Sequence, residues 1–195
     1  LLCGERVVAA AQEDMAKGQA ERLMPLIQEV LATAGVTTAE LDAIGVGTGP
    51  VNLTGIRISV SAARGLALAL ERPAIGVTRF EAMTEGLDQP IMATLDARRG
   101  MVYASCPGTA PFGPVLPEDM ASTCNGTGWD VVGHEAEAFA ALTGGRARLP
   151  AYPVAEAIAR CSLRGMGAQH PRPAPLYIRG ADAAPPSDPP PVVLS

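Results

Sequence analysis

Between Ala43 and Val77 a short apolar run (AIGVG) is followed by a long helical stretch and then by a second short apolar run (PAIGV). Short runs of small and β-branched residues, punctuated by Gly and Pro, read as buried strands. The stretch between them, Thr54 to Leu70, reads as a helix. This strand–helix rhythm continues on both sides. Leu23, Leu26, Ile27, Val30, Leu31 and Ala34 form the i, i+3, i+4, i+7 stripe of an amphipathic helix over Ala20–Ala34, closed by Gly35. Pro25 falls early in it, where proline is best tolerated. Thr37 with Glu40 and Thr78 with Glu81 have capping-box spacing, the first for a short helical turn and the second for a helix near Phe80–Glu85. ERVVAAAQ, Glu5 to Gln12, reads as a strand. DARRG joins two alternating strands, Ile91–Leu95 and Met101–Cys106, into a hairpin. Residues 107–127 read as a loop, GWDVVGHEAEAFAALTGG as a strand and then a helix, and PVAEAIARCSLRG as a last helix. The result is an α/β chain with a mixed sheet. Its expected parts are an N-terminal lobe, 1–87, a C-terminal lobe, 88–170, and a tail, 171–195, whose eight prolines favour extended structure or disorder.

The 195 residues are 48% hydrophobic, enough for one large or two small cores, and with only 4% aromatics the packing rests on Ala, Val, Leu and Ile. A formal charge of −5 neutralises few phosphates, so broad nucleic-acid binding by this chain alone is not expected. Cys3, Cys106, Cys124 and Cys161 contain no C-x-x-C pair and read as free thiols of a reducing compartment. No secretory signal is evident and no apolar run reaches the ~18 residues of a membrane span, so no membrane association and a cytoplasmic location are expected.

The glycine-rich stretch GVGTGPVNLTGIR invites a phosphate-loop reading that its details refuse. A P-loop needs Lys after its last glycine, and here Ile56 follows Gly55. Gly45, Gly47 and Gly49 are spaced G-x-G-x-G rather than as a dinucleotide fingerprint, and Gly65, Leu66 and Ala67 stand where its acidic residue belongs. The remaining reading is structural. Gly47, Gly49 and Pro50, with Gly55, form a tight turn, and Asn52 or Thr54 caps a slender helix rich in Ser59, Ser61, Ala62, Ala63, Gly65, Ala67 and Ala69. So little side-chain bulk lets another backbone come close. The chemical inventory is thin: His134 and His170 are the two histidines, and no G-x-S-x-G elbow is present. The most polar turn is Asp96, Arg98 and Arg99, readable either as an anion or partner contact or as a solvated hairpin.

The run VGTGPVNLTGIRISVSAARGLALALERPAIGVTRFEAM resembles the signature of the TsaB family, also called YeaZ. Gly47, Gly49, Pro50, Thr54, Gly55, Arg57, Ala63, Gly65, Leu66, Pro73, Gly76, Val77 and Glu81 carry the match. GQAERLMPLI, DARRGMVYAS and APLYIRG continue it in the right order. Val51-Asn52-Leu53 departs from the usual Gly-Ser-Phe, Gln19 from the common histidine and Met101 from the common glutamate. The family's opening strand with Asp-Thr-Ser has no counterpart in the sequence.

The resemblance implies an actin/Hsp70/sugar-kinase-like, ribonuclease H-like α/β fold of two lobes, with its first strand missing. It implies a non-catalytic dimerisation and activating subunit in the synthesis of threonylcarbamoyladenosine in tRNA. Its partners would be a catalytic TsaD-type subunit and a TsaE-type ATPase, with a homodimer when alone. The alternative is a stand-alone glycoprotease-like hydrolase or nucleotide-dependent enzyme of the same fold. On the favoured reading no catalytic residue, cofactor or metal ligand is expected. Glu21, Met24, Ile27, Thr54, Ile58, Ser61, Ala62 and Gly65 would face the partner, and Arg57 would join Asp96, Arg98 and Arg99 as an anion or partner contact.

Overall fold

The computed structural model describes residues 1–50, 53–88, 90–120, 124 and 128–178. The chain opens with a small antiparallel ribbon, β1 (Leu2–Cys3) and β2 (Arg6–Val7). The strand expected over Glu5–Gln12 is therefore cut to two residues. The Val8 amide still donates to the Leu1 carbonyl at 3.0 Å and the Leu1 nitrogen to the Ala9 carbonyl at 2.7 Å, and past Ala9 the segment pairs with no strand among the described residues. Helix α1 (Gln19–Ala34) ends on Gly35, whose φ of 67° is the left-handed cap conformation that glycine adopts freely. A short 3-10 turn, Thr38–Glu40, follows with its expected capping box.

Strands β3 (Ile44–Gly49) and β4 (Ala74–Thr78) pair in parallel, and α2 (Leu53–Leu70) makes the crossover between them. Side chains along a strand alternate between faces, and β3 shows why this one needs its composition. Val46 packs with Ile56, Val60 and Ala63 of α2. On the other face, a Cβ at Gly45 would collide with Ser162 and one at Gly47 would lie 3.1 Å from Ile158. Both contacts belong to α5 (Val154–Gly165), which comes back from the far end of the sequence to cover this sheet. Gly47 thus lies inside a strand rather than in the turn, and it serves close helix approach. Gly49 ends β3 at φ 94° and its peptide to Pro50 is cis. Val51 and Asn52 of the expected turn and cap lie outside the described residues, and Gly55 lies within α2.

Helix α3 (Arg79–Thr84) begins on its capping box: the Thr78 amide donates to Glu81 Oε2 at 2.6 Å, and the Glu81 amide donates to Thr78 Oγ1 at 3.1 Å. Beyond it lies a mixed five-stranded sheet in the order β7-β6-β5-β8-β9. Strands β5 (Ile91–Asp96) and β6 (Val102–Ser105) form the expected hairpin, while β8 (Asp130–Gly133) runs parallel to β5. The centre of this sheet is covered on both faces. Ile91, Ala93 and Val132 meet Phe80 and Met83 of α3 on one side. Met92, Val102 and Val131 meet Phe139 and Ala140 of α4 (Ala136–Thr143) on the other. Each such fully buried apolar side chain contributes about 1.5–3 kcal/mol.

Three sequence expectations change here. The 107–127 loop contains β7 (Phe112–Val115), which pairs with β6, and a 3-10 turn at Pro117–Asp119. The short strand β9 (Ala147–Arg148) adds an edge beside β8. Cys106 and Cys124, expected as free thiols, are joined by a disulfide with Cα atoms 6.5 Å apart. Their 18-residue separation hides this proximity: the intervening excursion returns because Met120 is buried in the same cluster as Cys106.

The tail divides in two. Its Pro-rich part from residue 179 lies outside the described residues. Pro171–Ile178 forms neither helix nor strand, and it is docked: the Leu176 amide donates to the Thr48 carbonyl at 2.8 Å. Leu176 and Ile178 pack against Phe80, Met83 and Ile91. This strap therefore bridges β3 of one sheet and the apolar face of the other.

Candidate functional site

Helix α2 has two unlike faces. Ile56, Val60, Ala63 and Ala67 are buried toward the β3–β4 sheet. Thr54, Ser61, Gly65 and Ala69 are exposed, Ile58 and Ala62 half-buried, and Leu68 is 79% exposed. Glycine in a helix interior costs about 1 kcal/mol relative to alanine, so Gly65, well inside α2, needs a reason. The described residues supply none: a Cβ built at Gly65, or at Gly55 in the first turn, meets none of them within 4 Å. Alongside packs α1, on which Glu21 and Met24 are exposed and Ile27 half-buried. Arg22 of the same helix is tied by its guanidinium to Glu13 at 2.8 Å and Glu29 at 2.6 Å, an exposed ion-pair cluster. The hydrogen bonds from Arg22 hold both carboxyls below their usual range.

Arg57 rises from the exposed side of α2 and meets the strap. Its Nε donates to the Tyr177 hydroxyl at 3.1 Å, and the guanidinium carbon lies 5.9 Å from the ring centroid. Asp96, Arg98 and Arg99 stand elsewhere, on the β5–β6 turn. There Asp96 Oδ1 accepts from the Arg98 amide at 2.7 Å, and Arg98 and Arg99 adopt φ of 65° and 54°. The four residues expected to share a role as an anion or partner contact therefore occupy two places, Arg57 on a helix and the other three on a hairpin.

Among the described residues no group of three His, Cys, Asp or Glu side chains is placed to hold a metal ion. His134 follows β8 with Glu135 at 3.9 Å, and His170 Nε2 lies 2.5 Å from the Gly165 carbonyl, beyond α5. No helix among the described residues is long and apolar enough to cross a membrane.

A family model described as TsaD, tRNA N6-adenosine threonylcarbamoyltransferase, matches residues 10–110, more than half of the 195. The chain belongs to the TsaB/TsaD family. Its signature positions fall on β3, α2, β4 and α3, apart from Pro50 and Pro73 in the connections between them. It is 38% identical over 88 residues to the Escherichia coli tRNA threonylcarbamoyladenosine biosynthesis protein TsaB, across 43% of this chain. It is 33% identical over 90 residues to the protein of the same name from Haemophilus influenzae, across 44% of this chain. The chain spans 38% of the length of each of these two curated relatives. Among solved structures it superposes, with a TM-score of 0.58 and 26% identity, on a Pseudomonas aeruginosa protein described as similar to the peptidase YeaZ. That match covers 86% of this chain and 87% of the other. The fold of this TsaB/TsaD-family chain is the mixed α/β, actin-like architecture that its YeaZ-like structural neighbour shares.

Two polar features escaped the sequence reading. Glu85, its side chain 3% exposed, receives the Arg164 guanidinium from α5. Between them sits Cys161, whose thiol donates to Glu85 Oε2 at 3.2 Å. Nothing in the spacing of Glu85, Cys161 and Arg164 announces that they meet. The second is Tyr177, visible in APLYIRG but not assignable to a partner before the strap is placed.

Burial pushes the Cys161 thiol up to about 11, with the Glu81 charge adding to it. At pH 8 it is almost wholly protonated and a poor nucleophile. Iodoacetamide is therefore expected to modify Cys161 in the folded chain about 100-fold more slowly than an unperturbed thiol of pKa about 8.5. Peptide mass spectrometry against time, with the urea-unfolded chain as reference, checks this. Native and unfolded rates within about threefold of each other would contradict the burial assigned to that sulfur.

Proposed function

We propose that this chain is a non-catalytic partner subunit in the synthesis of threonylcarbamoyladenosine in tRNA, acting in the cytosol. It would pair with a TsaD-type catalytic subunit through the α1–α2 face, and a TsaE-type ATPase would join the pair. The observation that carries the reading is the exposed, slender face of α2, whose Gly55 and Gly65 have open space above them. Small residues at helical spacing let two helix axes approach closely, and two helices of 16 and 18 residues offer about 25 Å of contact. Met24, Ile27 and Leu68 would supply the apolar contacts at the edges of this seam, and Arg57, held by Tyr177, a polar one. The names of the curated relatives support the pathway, and the family match supports a partner built on the same fold. A face complementary to a homologue is also suited to its own copy, so the isolated chain should form a two-fold dimer. On this reading tRNA is bound by the catalytic partner, in keeping with the acidic balance of the chain.

Light scattering of the purified chain, alone and mixed with a TsaD-type subunit at micromolar concentration, tests it. A homodimer that exchanges into a one-to-one complex is the expected outcome. A strictly monomeric chain that ignores the partner would refute it.

A further inference from the structure

A cavity of about 440 Å³, of a size that admits small metabolites, opens beside residues that the docking face does not use. It lies just beyond the carboxyl ends of the parallel strands β5 and β8, where the chain continues through Asp96 and His134. In α/β sheets ligands collect in this crevice, because the loops leaving adjacent strands part there. Met83, Leu95, Pro150 and the Tyr152 ring give it apolar walls, and Arg79, Asp96 and His134 are its charged or titratable members.

Three observations narrow what it takes. The Nε of Arg79 is buried and has no hydrogen-bond partner, the one such side-chain atom among the described residues. Buried donors are almost always matched, so an acceptor belongs beside it. His134 is fixed in place: its amide donates to the Thr94 carbonyl at 3.0 Å, and Thr94 Oγ1 donates to the His134 carbonyl at 2.7 Å. The imidazole itself stays 41% exposed. The charge balance is modest, since the Arg79 guanidinium is opposed by the Asp96 carboxylate, one oxygen of which accepts from the Arg98 amide. A site with one cation and one anion suits a single negative charge better than a phosphate dianion.

We propose that this cavity binds a small organic monocarboxylate, its carboxylate on Arg79 and its apolar body against Met83, Leu95 and Tyr152. The site shares no residue with α1 or α2, so it stands or falls apart from the pairing reading.

The test is a titration of the isotope-labelled full chain with benzoate and, at equal ionic strength, with inorganic phosphate, followed by NMR at the Gly133 and His134 amides and the Arg79 Nε–H. Saturable millimolar shifts with benzoate are expected, with phosphate weaker by about tenfold or more. Arg79→Met should weaken the benzoate response by about tenfold, while Arg148→Ala, on β9, leaves it unchanged. Val154→Trp, which fills the mouth of the cavity from a partly exposed position, should abolish it even if the Arg79 variant fails to fold. An absent benzoate response, an equal response to phosphate, or an undiminished response in Val154→Trp would each overturn the proposal.

Discussion

Replacing Arg164 with methionine is expected to destabilise the chain by about 3 kcal/mol, whereas Glu85→Gln should cost about 1 kcal/mol. The asymmetry follows from where the two charges sit. The Glu85 side chain is 3% exposed and that of Arg164 61% exposed. Without its carboxylate partner the guanidinium turns to water, and little is lost beyond one contact between α3 and α5. Without the guanidinium, the carboxylate stays in an apolar seam with the Cys161 thiol as its remaining donor among the described residues. A thiol is too weak a donor to offset desolvation of a full charge. Urea unfolding of the two single variants and the double variant measures this directly. The double variant should be more stable than Arg164→Met alone, because the stranded charge is gone. Equal losses in the two single variants would mean that the pair is an ordinary surface bridge, worth about 0–1 kcal/mol from either side.

That pair also marks the limit of what could be read from the sequence. Local signals translated well because their causes are local. The Thr78–Glu81 box caps a helix wherever it stands, and the stripe from Leu23 to Ala34 makes α1 whatever it packs on. The glycines of AIGVG could be read as strand residues but not explained, since the helix that presses on Gly45 and Gly47 lies more than a hundred residues later. Strand β7 escaped because Gly113 and Pro114 break the alternation that normally reveals a strand, and β9 because two residues carry no period. The disulfide and the docking of Leu176 were invisible for the same reason: each depends on where a distant segment returns. The slender face of α2 was legible as a composition. That a Cβ at Gly55 or Gly65 would meet none of the described residues within 4 Å shows only once the chain is folded.

Gly65→Leu should separate the two things that a helix glycine can do. If the residue served the fold, a leucine there would have to displace something. Yet Gly65 is exposed and a Cβ there meets none of the described residues within 4 Å, so in the isolated chain a leucine can extend toward solvent. Removing glycine from a helix interior should then raise stability, by about 0.5–1 kcal/mol in urea unfolding at a protein concentration too low for pairing. Association should move the other way. A leucine inserted into a seam where two backbones approach forces them apart, at about 1–3 kcal/mol, which is roughly a 5- to 150-fold rise in Kd. In a two-fold homodimer the substitution occurs twice across one seam and the loss grows accordingly. Gly65→Ala should fall between, gaining most of the helix propensity at a smaller steric penalty. Sedimentation of the three proteins over a concentration series provides the second readout. Opposite signs for folding and pairing are the signature of a position kept small for a neighbour. A stabilised helix with undiminished pairing would place the seam on another face of the molecule, and a destabilised one would return Gly65 to the fold.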